Sequence, residues 1–172
     1  MSSLNLEKYD EWKDDPDMIG DVMRFLDNVL SDFINKAPEQ FKDAKYSAER
    51  ERSVGLGVMG FHSFLQKKRI PLESVMAKSW NKKIFKNIHE KVNQASKDLA
   101  EERGACPDAA EYGFKERFSN KTAIAPTASI SIICGGASPG VEPIAANSYT
   151  HKTLSGSFNA VSYTHLRAHE TE

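Results

Sequence analysis

Apolar residues recur at helical spacing in the first long segment of the chain. These positions are Met18, Ile19, Val22, Met23, Leu26, Val29, Leu30, Phe33 and Ile34. A repeat of three and four residues places them on one face of a helix, the face that packs against a core. Asp15 suits the cap position before such a helix, and Pro16 suits its first turn. The pattern therefore predicts an amphipathic helix over residues 16–35.

A second and longer stripe follows later in the chain. Its members are Met76, Trp80, Ile84, Ile88, Val92, Ala95 and Leu99, with lysine and glutamate on the opposite face. Gly104 comes directly after this stripe and suits the left-handed residue that commonly ends a helix. The pattern predicts a helix over residues 74–103.

Shorter apolar segments lie between and after these helices. A glycine-rich segment predicts a buried strand near 53–58 that passes close to other backbone, and a helix is expected over 61–68. Further strands are predicted near 121–125 and over 147–154, with a short helix after Thr127. Strands that alternate with helices predict a mainly parallel α/β sheet or barrel.

Composition and charge narrow the class of protein. The chain has 172 residues, enough for one domain, and 40% of them are hydrophobic. Its 23 basic and 24 acidic residues give a net charge of -1, so charge provides no reason to expect nucleic acid or a membrane as partner. The sequence shows neither a membrane-spanning apolar run nor a signal peptide. Its two cysteines fit a reducing cytosol rather than a disulfide framework.

The segment with the clearest chemistry is 123–136, where a predicted strand leads through a turn into a short helix. The first amides of a helix have no internal partner and carry partial positive charge, so they can hold an anion such as phosphate. Thr127 and Ser129 can add hydroxyl donors, and the small side chain of Ala128 lets an anion come close. The alternative is that Thr127 or Ser129 only caps the helix. Spacing alone leaves both functions open.

The histidines give weaker signals. His62 is expected to be a packed or solvated side chain rather than a ligand. His165 and His169 are four residues apart, which suits a metal pair on one helix face. Because no cysteine or carboxylate motif nearby completes such a site, the sequence predicts no metal centre.

Two further pairs of reactive side chains have structural interpretations. Glu101 and Glu102 are adjacent at the end of a long exposed helix, where solvated charges are expected. Cys106 and Cys134 have no histidine partner motif, which predicts buried structural thiols. Neither pair is predicted to be catalytic.

Several segments resemble, in the same order, the large subunit of ribonucleotide reductases. They are Glu51–Phe61, Glu101–Pro107, Ala125–Ser129, Gly140–Pro143 and Tyr149–Phe158. Each match is short, but their shared order over residues 1 to about 160 makes the resemblance specific. The resemblance implies an α/β fold, as part of the second half of a ten-stranded barrel of the ribonucleotide reductase and glycyl radical enzyme type.

The resemblance also implies a reaction and its partners. The family reduces the ribose 2′ position of nucleoside diphosphates, starting from a thiyl radical, and two further cysteines supply the electrons. In a class I enzyme the radical would come from a separate small subunit and the reducing equivalents from thioredoxin or glutaredoxin. The intact large subunit would be a cytoplasmic homodimer regulated by ATP and deoxynucleotide effectors.

The family's substrate-diphosphate loop corresponds to Thr127, Ala128, Ser129 and Ile130. The loop would hold the diphosphate through backbone amides and hydroxyls, with Ile130 contributing only its backbone. The catalytic cysteines would lie before Met1, and the relay tyrosines and shuttle cysteines would lie beyond the other end of the chain. The resemblance therefore implies no catalytic residue and no bound cofactor in these 172 residues, which are expected to be inactive alone.

The end of the chain departs from this pattern. Residues 161–172 resemble a translated adaptor sequence, which predicts a partial barrel domain over 1–160 followed by a non-native tail over 161–172. A genuine divergent tail is the alternative.

Two other functions remain open. One is a cobalamin-dependent reductase with the same barrel, although Tyr149–Phe158 favours class I. The other is a phosphate-binding scaffold without catalysis, which describes the isolated chain more literally.

Overall fold

The computed structural model describes residues 1–144, 146, 148–153 and 156–161. In chain order the elements are β1 (Ser2–Asn5), α1 (Tyr9–Trp12), α2 (Met18–Lys36), α3 (Lys42–Glu51), β2 (Leu56–Met59), α4 (Phe61–Lys67), α5 (Val75–Arg103), α6 (Pro107–Glu111), α7 (Ile130–Ile133), β3 (Ser148–Thr153) and β4 (Gly156–Val161), with 3-10 turns at Leu6–Lys8 and Glu39–Phe41.

These elements belong to two compact units. The first unit comprises Met1–Leu4, Asp10–Gly57 and Lys82–Ala125. The second comprises Asn5–Tyr9, Val58–Asn81 and the described residues from Pro126 onward.

Helix α2 confirms the prediction for residues 16–35. The prediction of Asp15 as the cap and Pro16 in the first turn is wrong, because the helix begins at Met18 with Asp17 at the N-cap position. The Asp15 carboxylate nevertheless accepts hydrogen bonds from the amides of Asp17 and Met18, at 2.9 and 3.1 Å. Ile19 and Met23 are buried on the face that the apolar stripe predicts. The prediction is wrong for Val29 and Phe33 of the stripe, which are exposed.

Helix α5 confirms the prediction for residues 74–103. Ile84, Ile88, Val92 and Leu99 are buried, as the stripe predicts. The prediction is wrong for Met76, which is exposed in the first turn of the helix. Gly104 has a φ of +87°, and its amide bonds to the carbonyl of Ala100 at 2.9 Å, so it ends the helix in the predicted left-handed conformation.

The predicted close approach of backbones occurs at β2. A side chain at Gly57 would overlap the carbonyl oxygen of Ala123, so only glycine fits there. The predicted strand near 121–125 is wrong as a strand, because residue 122 forms a single parallel bridge to Leu56. Two hydrogen bonds flank this bridge, from the amide of Leu56 to the carbonyl of Lys121 at 2.9 Å and from the amide of Ala123 to the carbonyl of Leu56 at 3.2 Å.

The remaining strands pair locally. In the described part of the chain, β1 pairs with β2, and β3 pairs with β4 in antiparallel register from Ser148 with Val161 to Thr153 with Gly156. The expected strand over 147–154 is therefore confirmed as β3, but a mainly parallel sheet is not found. No closed barrel forms among the described residues. The sequence patterns did not predict β1, α1, α3, α6 or β4.

An aromatic cluster packs α4 within the second unit. The ring of Phe64 meets those of Tyr9 and Trp80 edge to face, with centroids 5.9 and 5.2 Å away. The ammonium group of Lys68 lies 5.0 Å from the centroids of both Phe64 and Trp80. This cluster anchors the helix that supports the candidate site.

A buried carboxylate organises the first unit. The side chain of Asp27 lies on the buried face of α2 with no exposed surface. Its oxygens accept hydrogen bonds from Arg52 at 2.7 Å, Arg103 at 2.8 Å and Arg117 at 2.9 Å. Burial alone would raise the pKa of Asp27, but the hydrogen bonds from the three guanidinium groups outweigh it and hold the pKa below its ordinary value.

Replacing Asp27 tests this interaction. Asp27→Asn leaves three guanidinium groups without their anion, and breaking a buried ion pair in this way costs about 3–5 kcal/mol of the free energy of unfolding. Urea denaturation at neutral pH, at a low chain concentration, measures the loss. Because the folded-state pKa of Asp27 is lowered, its stabilisation is present above about pH 3.9 and is lost as the pH falls towards the folded-state value. The acid-induced loss of stability should therefore be smaller in Asp27→Asn.

Asp32→Asn is the matched control on the same helix. Asp32 pairs with Lys36 at 2.7 Å, and both side chains are largely exposed. An exposed pair contributes little, so this variant should unfold almost as the parent does. Equal losses in the two variants would contradict the central role of Asp27.

An exposed apolar row runs along another face of α2. Phe25, Val29 and Phe33 are four residues apart, with exposed fractions of 62%, 51% and 39%. Contiguous exposed apolar surface of this kind promotes association. The isolated chain is therefore expected to self-associate. The same behaviour is expected of a partial barrel domain, whose apolar surface the missing part of the barrel would otherwise cover.

Sedimentation velocity over a range of concentrations checks this expectation. The double variant Phe25→Lys, Phe33→Glu should shift the chain towards monomer. Ala110→Lys places a charge on another exposed helical position and should leave association unchanged. A parent chain that sediments as a monomer at every concentration would show the expectation to be wrong.

Candidate functional site

Thr127 sets the geometry of the turn that precedes α7. Its φ of +53° lies in the left-handed region, which a β-branched residue rarely adopts. Its buried hydroxyl oxygen Oγ1 accepts a hydrogen bond from the amide of Gly140 at 2.8 Å. Its carbonyl accepts one from the amide of Ser131 at 3.0 Å. Two hydrogen bonds therefore hold the turn in a conformation that threonine disfavours.

The next three residues form an exposed donor surface. Ala128, Ser129 and Ile130 are all exposed. Within the described part of the chain, their backbone amides donate to no protein acceptor. The Ser131 hydroxyl turns back to the Ala128 carbonyl at 3.2 Å, so it does not cover these amides. Three amides and the Ser129 hydroxyl are thus available to an anion at one turn of the chain.

The short length of α7 changes the physical account of this turn. The helix spans only Ile130–Ile133, whereas a macrodipole requires many aligned peptide units. Any attraction for an anion therefore comes from the individual amides rather than from a long helix. The predicted helix after Thr127 is confirmed, but its electrostatic contribution is local.

The capping alternative does not describe either hydroxyl. Ser129 occupies the N-cap position, but its side chain makes no capping hydrogen bond. The Thr127 oxygen is engaged by Gly140, outside the helix. The structure therefore places Thr127 in a supporting position and leaves Ser129 as the exposed hydroxyl of the turn.

The other candidate side chains have different outcomes. His62 is packed as expected, with its Nδ1 accepting the amide of Ile144 at 3.0 Å, and burial lowers its pKa. Cys106 is buried as predicted. The prediction is wrong for Cys134, which is exposed because it follows the last residue of the short helix α7. His165 and His169 lie outside the described residues.

Glu102 is exposed at the end of α5, as expected of a solvated charge, and it also has a specific partner. Both of its carboxylate oxygens accept hydrogen bonds from Arg24, each at 2.7 Å. The hydrogen bonds from Arg24 lower the pKa of Glu102 to about 2. Because α2 packs beside the end of α5 in the first unit, a residue from a distant part of the sequence reaches this carboxylate.

Sequence reasoning missed the residues that support the turn. Ser63 and Ser138 exchange backbone-to-hydroxyl hydrogen bonds at 3.1 and 2.9 Å, and Gly140 binds Thr127. The sequence offered two signals: Ser63 lies inside the apolar segment that forms α4, and Ser138 precedes the pair Pro139 and Gly140. Neither signal identifies its partner without the fold.

The described residues show neither a metal cluster nor a membrane-spanning helix. They contain no group of three or more histidine, cysteine, aspartate or glutamate side chains placed to hold a metal ion. None of the helices among them has the length and apolar character needed to cross a membrane.

Comparison with protein families gives an independent result. The chain matches the family described as "Ribonucleotide reductase, barrel domain" over residues 1–116 and 108–171. The second range continues through residues that the sequence analysis assigned to an adaptor-like tail, and the boundary at residue 160 stays a prediction.

Individual relatives agree with the family match. The "Ribonucleoside-diphosphate reductase large subunit" of Invertebrate iridescent virus 6 is 51% identical over 158 residues, covering 92% of this chain and 16% of the viral protein. The "Vitamin B12-dependent ribonucleoside-diphosphate reductase" of Thermoplasma acidophilum is 39% identical, covering 91% of this chain and 21% of that protein.

A solved structure also matches the fold. The "Actinobacillus ureae class Id ribonucleotide reductase alpha subunit" superposes with a TM-score of 0.79 at 41% identity, covering 84% of this chain and 28% of that chain. The present chain thus spans between about a sixth and about a quarter of these relatives' length.

Proposed function

The chain belongs to the ribonucleotide reductase barrel-domain family, and we propose that it is part of a class I large subunit that converts ribonucleoside diphosphates to deoxyribonucleoside diphosphates. The activity would belong to the whole subunit, of which these residues form a part of the ten-stranded barrel. The single observation that carries the proposal is the turn that Thr127 holds in place, whose exposed residues 128–130 have three unpaired amides.

The turn has the chemistry that a diphosphate requires. Amides of consecutive residues can point at one phosphate group and donate several hydrogen bonds to it without adding a mobile side chain. The hydroxyl of Ser129 adds a donor, and Ala128 leaves room for close approach. Thr127 would contribute mainly by fixing the backbone, since its oxygen already accepts the Gly140 amide.

The remaining parts of the reaction would lie elsewhere in the subunit. Reduction replaces the ribose 2′-hydroxyl by hydrogen, the hydroxyl leaves as water, and two thiols that close to a disulfide supply the two electrons. Neither Cys106 nor Cys134 is proposed for this role. Thioredoxin or glutaredoxin would reduce the disulfide, and a partner small subunit would supply the radical. The complete protein would be a cytoplasmic homodimer with ATP and deoxynucleotide effectors.

A cobalamin-dependent reductase is the second candidate. The observation that favours it is the vitamin B12-dependent relative, which is 39% identical over 168 residues. The class I proposal is supported by the class Id alpha subunit, which is 41% identical and superposes with a TM-score of 0.79. The third candidate is a phosphate-binding scaffold without catalysis, which would describe these residues in isolation.

Substitution of Ser129 tests the diphosphate role in a complete large subunit that contains this sequence. Ser129→Ala removes one hydrogen bond of about 0.5–1.5 kcal/mol, so nucleoside diphosphate should bind about two- to tenfold more weakly. Ser129→Asp sets a negative charge against the phosphate and should weaken binding more than Ser129→Ala does. Equilibrium binding of a nucleoside diphosphate measures both effects.

Ser79→Asp is the control for an added carboxylate. Ser79 is exposed on α5 in the same unit, so its substitution should leave substrate affinity unchanged. Effector binding should be unaffected in all three variants. If Ser129→Asp binds the diphosphate as tightly as the parent, the turn has no role in substrate binding.

The source of the radical separates the two reductase candidates. Activity of the complete large subunit is measured once with its partner small subunit and once with adenosylcobalamin. The class I proposal expects deoxynucleotide formation only with the small subunit. Formation with adenosylcobalamin alone would establish the second candidate instead.

A further inference from the structure

A pair of serines joins α4 to the segment that follows α7. The amide of Ser63 donates to the hydroxyl oxygen of Ser138 at 3.1 Å, and the amide of Ser138 donates to the hydroxyl oxygen of Ser63 at 2.9 Å. Both side chains are buried. The amide of Gly60 also donates to the carbonyl of Ser138 at 2.7 Å. Three hydrogen bonds, away from competing water, therefore fix Ser138 against the start of α4.

His62 holds the same segment at its other end. Its Nδ1 accepts the amide of Ile144 at 3.0 Å, which requires the neutral tautomer with the proton on Nε2. Burial lowers the pKa of His62 and so keeps the ring neutral at neutral pH. Helix α4 thus binds residues 138–144 at both ends.

The contact with the turn lies between these two attachments. The amide of Gly140 donates to Thr127 Oγ1 at 2.8 Å. A left-handed β-branched residue persists only when its surroundings favour that conformation, and the Gly140 bond is one of the two that hold Thr127 there. A chain of hydrogen bonds therefore runs from α4 through residues 138–144 to Thr127, and the exposed amides of 128–130 follow directly.

We propose that residues 138–144 act as a clamp on the diphosphate loop, and that Ser63, Ser138 and His62 are its positioning residues. The proposal rests on the proposed function, because it concerns how that loop is held ready for a diphosphate. None of the three residues touches the substrate. Each acts by restricting Thr127, so that the loop amides already converge before a phosphate arrives.

The substitutions are made in a complete large subunit that contains this sequence. His62→Leu removes the acceptor for the Ile144 amide but keeps an apolar side chain at a half-buried position. His62→Asn keeps an acceptor oxygen near the place of Nδ1. Ser138→Ala removes the acceptor for the Ser63 amide. His89→Ala is the control, because His89 is exposed on α5 in the other unit.

The readouts are KM for nucleoside diphosphate, kcat and the midpoint of thermal unfolding. His62→Leu and Ser138→Ala should raise KM by about two- to tenfold, the effect of one lost hydrogen bond, while kcat stays within about twofold of the parent. His62→Asn should restore KM to within about twofold of the parent. His89→Ala should match the parent in all three measurements. If Ser138→Ala does not fold, the His62 pair decides the question.

Two results would overturn the clamp. One is a lower unfolding midpoint and kcat in His62→Leu with KM unchanged, which indicates a purely structural bond. The other is an equal rise in KM for His62→Leu and His62→Asn, since the acceptor would then be irrelevant. Ser129→Asp, measured in parallel, separates this failure from failure of the proposed function. If it raises KM while the clamp variants do not, the loop binds diphosphate without the clamp.

Discussion

The first unit depends on a negative charge that has no access to water. Asp27 can remain ionised there only because Arg52, Arg103 and Arg117 reach it from other segments. Arg52 lies at the end of α3, just before β2, and Arg117 lies just before the segment that pairs with β2. The same ion cluster therefore sets where two backbones meet, at a contact so close that only a glycine is accommodated. The network also supports a helix end, since the Arg117 guanidinium donates to the carbonyl of Arg103, the last residue of α5, and to that of Gly104.

The second unit contains buried hydroxyl groups bound to backbone amides, whereas the first unit contains a cluster of buried charges. Around the turn before α7, the buried hydroxyls of Ser63, Ser138 and Thr127 all accept backbone amides. Immediately beside them, the amides of residues 128–130 are exposed and unpaired within the described chain. At this turn the three buried hydroxyls are satisfied and the neighbouring amides are left unpaired, which is the arrangement expected of a binding surface on a rigid support.

The sequence predicted the elements whose signals are local. The apolar periods located α2 and α5, and Gly104 marked the end of α5 because a left-handed glycine is a local requirement. Partners from distant segments could not be predicted in this way. Asp27 follows Ile19 and Met23 at the spacing of the buried stripe, so the pattern marks it as an unusual buried charge but does not reveal its three arginines.

The same limit applies to the candidate site. The turn itself was predicted from Thr127 and Ser129, since hydroxyl residues before a helix are a local pattern. Its support was not, because Gly140 lies 13 residues away from Thr127 and Ser63 lies 75 residues away from Ser138. The predicted strand near 121–125 is wrong for a related reason. Apolar residues indicate extended backbone, but the number of backbone hydrogen bonds that form depends on the neighbouring segment, which here allows a single bridge.

The different environments of the two cysteines make the loop accessible to site-selective chemistry. Cys134 is exposed directly after α7, whereas Cys106 is buried in the other unit. A thiol-directed fluorophore or spin label would therefore attach at one position of the native chain, a single helical turn beyond the exposed amides. No cysteine needs to be introduced or removed in this chain, so the turn can be observed spectroscopically in its natural sequence.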